Sequence, residues 1–398
     1  MEPRARVLAA PTVRDLATAA PWLRGGEIGR LAGSHPSRVL VVHGLDERSA
    51  ARAAELIEGS GGDAVRDGER LVWSATPRTQ AKMLERLRVE PALAPFTDAV
   101  TLALARWNEP CHDLPLPDGR VLLLSQRVHV MGIVNVTPDS FSDGGRFLDP
   151  DAAIAHGLRL AEDGADLLDV GGESTRPGAE PVSAEAEAKR VVPVVEALAA
   201  KSSIPVSIDT SKAAVARAAI DAGAQIVNDV AAGRFDPEIL AVAAERMTPV
   251  VLMHMRGQPR TMQRAPRYAD VVGEIASFLE DRAGAALATG VVRDRIVLDP
   301  GFGFGKTPEH NLVLLRRLRE FRSLGFPIMA GTSRKSFIGV ALGDLAVSER
   351  VEGTAATVAL AVVNGAAIVR VHDVREMARV ARMVEAVQAA VEPGDGRG

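Results

Sequence analysis

Along the last two-thirds of the chain a polar residue follows each of a series of short apolar segments. They are Asn135, Asp169, Asp209, Asn228 with Asp229, His254, Asp299, the run Ser333-Arg334-Lys335-Ser336, and Arg370 with His372. One polar residue after one apolar segment is an ordinary loop. A polar residue after every one of eight is a pattern, and chemically it divides in two. Asp209, Asn228 and Asp299 can accept hydrogen bonds from a planar heterocycle that presents N–H and amino donors, and Lys335 can donate to the carbonyl of such a ring. The ring would be pterin-like or purine-like. Arg370, His372, Asn135, Thr175 and Arg176 are cationic or donor groups that suit a pyrophosphate. Phosphate oxygens also need a counter-ion, and Asn135 with Asp143 offers the hard oxygen ligands of a Mg2+ that fills its remaining positions with water. No His/Cys cluster argues for zinc.

The elements that must position these groups follow from the apolar periodicity. Short, β-branched runs at His129–Val134, Asp166–Val170, Pro205–Ile208, Gln225–Val227, Pro249–Met253, Arg295–Leu298, Pro327–Met329 and Ala367–Val369 read as buried parallel strands. Helical spacing lies between them, as in Ala152–Glu162, Ala184–Ala199, Asp270–Ala288, His310–Arg319 and Arg375–Ala389. Eight β-then-α pairs predict a (β/α)8 TIM barrel spanning residues 127–392, in which reacting groups project from the C-terminal ends of the strands. An open doubly wound sheet is the competing fold. The Ser/Gly/Asp-rich stretches Val136–Asp149 and Gly171–Val182 read as lids, with Gly144, Gly145, Gly171 and Gly172 as hinges.

Residues 1–126 differ in texture. Strands at Arg38–His43 and Gly68–Ser74 and helices at Ser49–Gly59 and Pro77–Arg88 predict a small α/β module that the chemistry does not need. Pro110–Gly119 reads as its connector or as a hairpin turn, Val121–Leu124 as a seal for the barrel's N-terminal face, and residues 393–398 as a frayed tail.

Composition excludes several classes. The chain has 398 residues, 47% of them apolar and 25% charged, with a net charge of −4, so neither a disordered chain nor a nucleic-acid or membrane-surface binder is expected. The single cysteine, Cys111, and an N-terminus without a signal-like apolar run point to a reducing, cytoplasmic compartment. Gly301-Phe302-Gly303-Phe304-Gly305-Lys306-Thr307 imitates a phosphate-binding loop, but Pro300 stands where that motif needs its first glycine. Its third glycine also falls one residue early for a dinucleotide fingerprint. His112 and His129 read as structural.

The string Met131-Gly132-Ile133-Val134-Asn135-Val136-Thr137-Pro138-Asp139-Ser140-Phe141-Ser142-Asp143-Gly144-Gly145 resembles the first signature of the dihydropteroate synthase family. Asp169-Val170-Gly171-Gly172-Glu173-Ser174-Thr175-Arg176-Pro177-Gly178 resembles the second. Ser207–Lys212, Asn228–Val230, Leu298–Lys306, Ser333–Ser336 and Arg370–Asp373 are similar to the remaining motifs and arrive in the same order. The resemblance covers roughly residues 128–390 and leaves the first 126 outside. It implies a TIM barrel that condenses 6-hydroxymethyl-7,8-dihydropterin pyrophosphate with p-aminobenzoate in folate biosynthesis, as a homodimer. It further implies that Asp209, Asn228, Asp299 and Lys335 hold the pterin, and that Asn135, Thr175, Arg370 and His372 hold the pyrophosphate. Phe141, Arg176, Pro177, Phe304 and Ser336 would lie at the p-aminobenzoate, and Asn135 with Asp143 would hold Mg2+. Asn135, Asp143, Lys335, Arg370 and His372 would then carry the catalysis. Two other readings keep the pterin: a methyltetrahydrofolate-dependent methyltransferase, which has no pyrophosphate to bind, and a non-catalytic pterin-binding homologue.

Overall fold

Four segments near the N-terminus pair as an antiparallel sheet: β1 (Arg4–Leu8), β2 (Arg38–His43), β3 (Asp63–Asp67) and β4 (Arg70–Ala75), in the order β1-β2-β4-β3. Three helices accompany them, α1 (Glu47–Glu58), α2 (Pro77–Arg88) and α3 (Ala94–Asn108). The starts of α1 and α2 are written locally. The Asp46 side chain accepts from the Ser49 amide at 2.9 Å, and Thr76 caps α2 just before Pro77, whose missing N–H costs nothing at that position. Leu40, Val42, Ile57, Trp73, Met83 and Phe96 form the core. Strand β3 lies outside the sequence reading because only Ala64 and Val65 are buried between charged residues, which leaves almost no apolar signal.

This computed structural model describes residues 3–8, 22, 38–109, 111–137, 150–174 and 180–390. The chain divides into two compact units. The first is Met1–Cys111 with Tyr268–Ala276 and Arg317–Gly325; the second is His112–Arg267, Ser277–Arg316 and Phe326–Gly398.

The second unit opens with a hairpin, β5 (Leu114–Pro115) and β6 (Val121–Leu122), which settles the connector-or-hairpin alternative for the segment before Gly119. Leu114, Leu116 and Leu124 are buried, whereas Val121 and Leu123, expected in the seal, face solvent. Arg120 fastens the turn by donating to the Ser203 carbonyl and, at 2.7 Å, to Gln225 Oε1.

Eight parallel strands follow: β7 (His129–Asn135), β8 (Leu167–Gly171), β9 (Val206–Asp209), β10 (Ile226–Asp229), β11 (Val250–Met253), β12 (Ile296–Asp299), β13 (Met329–Ala330) and β14 (Ile368–Val371). Sequence neighbours pair from β7 to β12 and from β13 to β14, and β14 pairs with β7. A Leu298–Ile328 bridge and a 2.9 Å bond from the Leu298 amide to the Pro327 carbonyl close the ring between β12 and β13. The open-sheet alternative is thereby excluded. The helices are α4 (Pro150–Glu162), α5 (Ala184–Lys201), α6 (Ala213–Asp221), α7 (Glu238–Glu245), α8 (Val271–Ala288), α9 (Pro308–Arg316), α10 (Ser336–Ala341), α11 (Val351–Val363) and α12 (Val374–Ala389). One boundary differs from expectation: α9 stops at Arg316, and a 3-10 turn over Leu318–Leu324 replaces the continuation to Arg319.

Candidate active site

Asn135, Asp209, Asp229, Asp299 and Arg370 are strand residues rather than the first residues of loops. Their backbones are therefore held by the barrel ladder, and only their side chains have freedom to lose.

Cross-strand register sets their heights. Asp209 lies opposite Asn228 on one side and Gly171 on the other, while Asp169 lies opposite Ser207, two residues deeper. Arg370 brings the layers together: its Nε donates to Asp169 Oδ2 at 2.6 Å and its Nη2 to Asp209 Oδ2 at 2.8 Å. Asn228 Nδ2 donates to the same Asp169 oxygen at 2.9 Å. The two chemical halves expected from sequence thus meet at one guanidinium. Burial, with Asp169 nearby, pushes the Asp209 carboxyl up to about 7 against the pull of Arg370. Burial raises Asp299 too, although its Oδ1 accepts from the Gly301 amide at 2.7 Å.

The far side of the ring supplies the other groups. His372 Nδ1 lies 3.0 Å from Ser333 Oγ, and burial together with Arg370, Arg334 and Lys335 pushes its pKa down to about 3. At neutral pH it is an uncharged ring that can donate a hydrogen bond, not a cation. Arg334 takes a left-handed φ of 56°, held by its ion pair with Asp373 and by a 3.1 Å bond from its amide to Thr354 Oγ1. That turn presents Lys335, whose Nζ sits 4.2 Å from the centroid of the Phe304 ring. Ser336 is exposed at the start of α10, and Asn135 is half-buried at the end of β7.

The phosphate-loop look-alike has a different use for its lysine. Lys306 is buried and its Nζ lies 2.7 Å from the Gly301 carbonyl, 3.1 Å from that of Phe304 and 3.0 Å from His254 Nδ1. Its donors are spent on its own turn and on His254. Gly301, at φ 70°, is required there, since a Cβ would stand 2.0 Å from the His254 carbonyl oxygen. Gly172 likewise serves close packing as well as any hinge, because a Cβ would meet Val191 at 2.7 Å.

Phe141, Asp143, Thr175, Arg176 and Pro177 lie outside the described residues, as do Gly144 and Gly145. Among the described residues no group of three or more His, Cys, Asp or Glu converges on a metal position. Asp169 belongs to the polar set of the sequence, but the sequence reading gives it no role. A carboxylate inside the apolar run Leu167-Leu168-Asp169-Val170 was the available signal, because a charge so placed needs partners.

A family profile described as pterin binding enzyme matches residues 131–372. A dihydropteroate synthase from Synechocystis sp. is 49% identical over 274 residues, covering 69% of this chain and 95% of the relative. The Escherichia coli dihydropteroate synthase is 47% identical over 264 residues, or 66% of this chain and 93% of its own. Among solved structures, the Xanthomonas albilineans dihydropteroate synthase with 4-aminobenzoic acid superposes with a TM-score of 0.66 at 49% identity, covering 71% of this chain and 100% of that one. The same protein in complex with 7,8-dihydropteroate gives 0.63 at 47% identity, covering 70% of this chain and 100% of that one. With a closed parallel barrel, acceptors and a guanidinium at its strand ends, and these likenesses along most of its length, the chain belongs to the pterin-binding enzyme family, among the dihydropteroate synthases.

Proposed function

We infer that the chain condenses 6-hydroxymethyl-7,8-dihydropterin pyrophosphate with p-aminobenzoate, giving 7,8-dihydropteroate and pyrophosphate. The observation that carries this reading is the acceptor set Asp209, Asn228 and Asp299 gathered at one end of a barrel with Arg370 bonded into it. Acceptors suit the donor edge of the pterin, Lys335 its carbonyl, and Arg370 with His372 the pyrophosphate. The bond from methylene carbon to pyrophosphate oxygen breaks and its electron pair leaves with the pyrophosphate. The arylamine nitrogen then bonds to the methylene and gives up one proton. Positive charge builds on the pterin-conjugated carbon as it develops on no protein atom, so the residues bind, orient and stabilise, and no nucleophilic side chain is required. Phe304, Ser336, Phe141, Arg176 and Pro177 would seat the p-aminobenzoate.

Mg2+ would be held by Asn135 and Asp143, and it would supply charge neutralisation to the departing pyrophosphate. An ion that keeps most of its shell for water and phosphate oxygens needs no more protein ligands than these. Full activity in excess chelator would remove it from the reading. A homodimer is proposed as well, and exposed Val340, Leu342, Val347, Leu360 and Val363 on and around α10 and α11 supply apolar surface for it. Light scattering of the purified chain checks that. Among the described residues no helix is long and apolar enough to cross a membrane, and the cytoplasm is the compartment proposed. The reaction itself is tested by incubating the purified chain with both substrates. Dihydropteroate and pyrophosphate should appear in equal amounts, and their absence would end this reading.

A further inference from the structure

Asp169 is fully buried and lies one layer below Asn228 and Asp209 in the barrel register. A single one of its oxygens, Oδ2, takes both of its hydrogen bonds, from Asn228 Nδ2 and from Arg370 Nε. The first bond settles a polarity. Only the NH2 end of an amide can donate to a carboxylate, so Asn228 Oδ1 is turned the other way, and that oxygen is buried without a partner among the described residues. The second bond settles a plane. A guanidinium held at Nε by Asp169 and at Nη2 by Asp209 has its fork fixed at two points.

We infer that Asp169 is a positioning residue, whose one oxygen both makes Asn228 an acceptor toward the pterin and aligns Arg370 for the pyrophosphate. The inference rests on the substrates assigned above. A purely structural part fits the geometry less well: Asp169 Oδ1 is itself buried and unpartnered among the described residues, so the carboxylate is kept inside the barrel with half its valence unused.

Calorimetry on the full chain with two probes, 6-hydroxymethyl-7,8-dihydropterin lacking the pyrophosphate and inorganic pyrophosphate, separates the outcomes. Asp169→Leu, which keeps the branched skeleton and removes the acceptor, should weaken each probe by about tenfold or more, the size of one lost charge-assisted bond. Asn228→Ala should weaken the pterin and spare the pyrophosphate. The decisive measurement is the double variant: once Asn228 is alanine, Asp169→Leu should cost no further pterin affinity, because it acts through that amide. Equal losses in both backgrounds, or unchanged affinities for both probes, would overturn the positioning role. Should Asp169→Leu fail to fold, Asp169→Asn retains the shape and is expected to show the same pattern at about threefold. An unaltered chain that binds neither probe overturns this inference and the proposed reaction together. One that binds both but forms no dihydropteroate overturns the reaction alone, and the cycle still reports on Asp169.

Discussion

Each of the two units contains a buried network of arginines and carboxylates, and the networks differ in what they leave over. In the first unit Arg6 reaches Glu320 Oε2 at 2.7 Å and Asp270 Oδ2 at 2.8 Å, while Arg317 reaches Glu320 Oε1 at 2.7 Å and Asp270 Oδ1 at 3.2 Å. Every carboxylate oxygen is taken and two cations balance two anions. In the barrel, Asp169 Oδ1, Asn228 Oδ1 and Ser207 Oγ are buried without partners among the described residues, and one arginine serves two aspartates. Buried charge by itself therefore marks neither structure nor function. What separates these two networks is unused hydrogen-bonding capacity beside the strand-end acceptors; an orphaned atom alone does not mark a site, since Trp73 Nε1 and Gln80 Oε1 of the first unit are also buried without partners among the described residues.

Substitutions that read turnover should separate the networks, beginning with Arg370. Arg370→Met removes the group shared by both halves of the site and should lower kcat/KM by about 10²–10³, the usual cost of one preorganised charge-stabilising group. A steady-state assay that found less than a tenfold loss would place the pyrophosphate elsewhere. Asp299→Asn comes next. It turns an acceptor into a donor facing the ring's donors, so pterin affinity should fall by about 1.5–3 kcal/mol while p-aminobenzoate binding changes little. Unchanged calorimetric affinity for the pterin pyrophosphate would refute that assignment.

The third effect is graded by pH. Because the Asp209 carboxyl is raised from 3.8 to about 7 by burial, it takes up a proton as the pH falls through that value, and the protonated group presents a donor where the pterin needs an acceptor. Pterin affinity should drop by about tenfold per pH unit below 7. The stability linkage has the opposite sense: the contribution of this group is fully present below its unfolded value and is lost as the pH rises through about 7. Asp209→Asn should bind weakly at every pH and flatten the slope. A wild-type affinity that stays level between about pH 5 and 8 would show that Arg370 keeps Asp209 ionised throughout.

The same contrast explains what could be read from the sequence. The barrel strands were legible because buried parallel strands are runs of β-branched residues, and each ended within two residues of its apolar run. The acceptors were legible because they end those runs. The grouping of Tyr268–Ala276 and Arg317–Gly325 with the N-terminal unit was not. In a helical pattern Arg317 and Glu320 read as solvated charges, and nothing local announces that Arg6, 314 residues before Glu320, bonds to that carboxylate. Five of the assigned site residues, Phe141, Asp143, Thr175, Arg176 and Pro177, fall outside the described residues.

The smallest effect on turnover belongs to the first unit's network, and it should coincide with a large effect on stability. Arg317→Met removes two hydrogen bonds to Glu320 and one to Asp270, in surroundings where Glu320 and Arg317 are almost wholly hidden from water. Breaking a buried pair by removing one partner costs about 3–5 kcal/mol, because the remaining charge stays buried. Arg6→Met should act in the same direction, since Arg6 supplies one bond to each carboxylate. Neither arginine is assigned a contact with substrate, so kcat per folded molecule should stay within about twofold of the unaltered chain, below the level at which a charge-stabilising group would be counted. Denaturant melts followed by assays at low temperature, where the folded form still dominates, measure both quantities on one preparation. A loss of kcat matching that of Arg370→Met, with stability intact, would mean that a fully satisfied network can serve the chemistry, and unused valence would no longer tell the two apart.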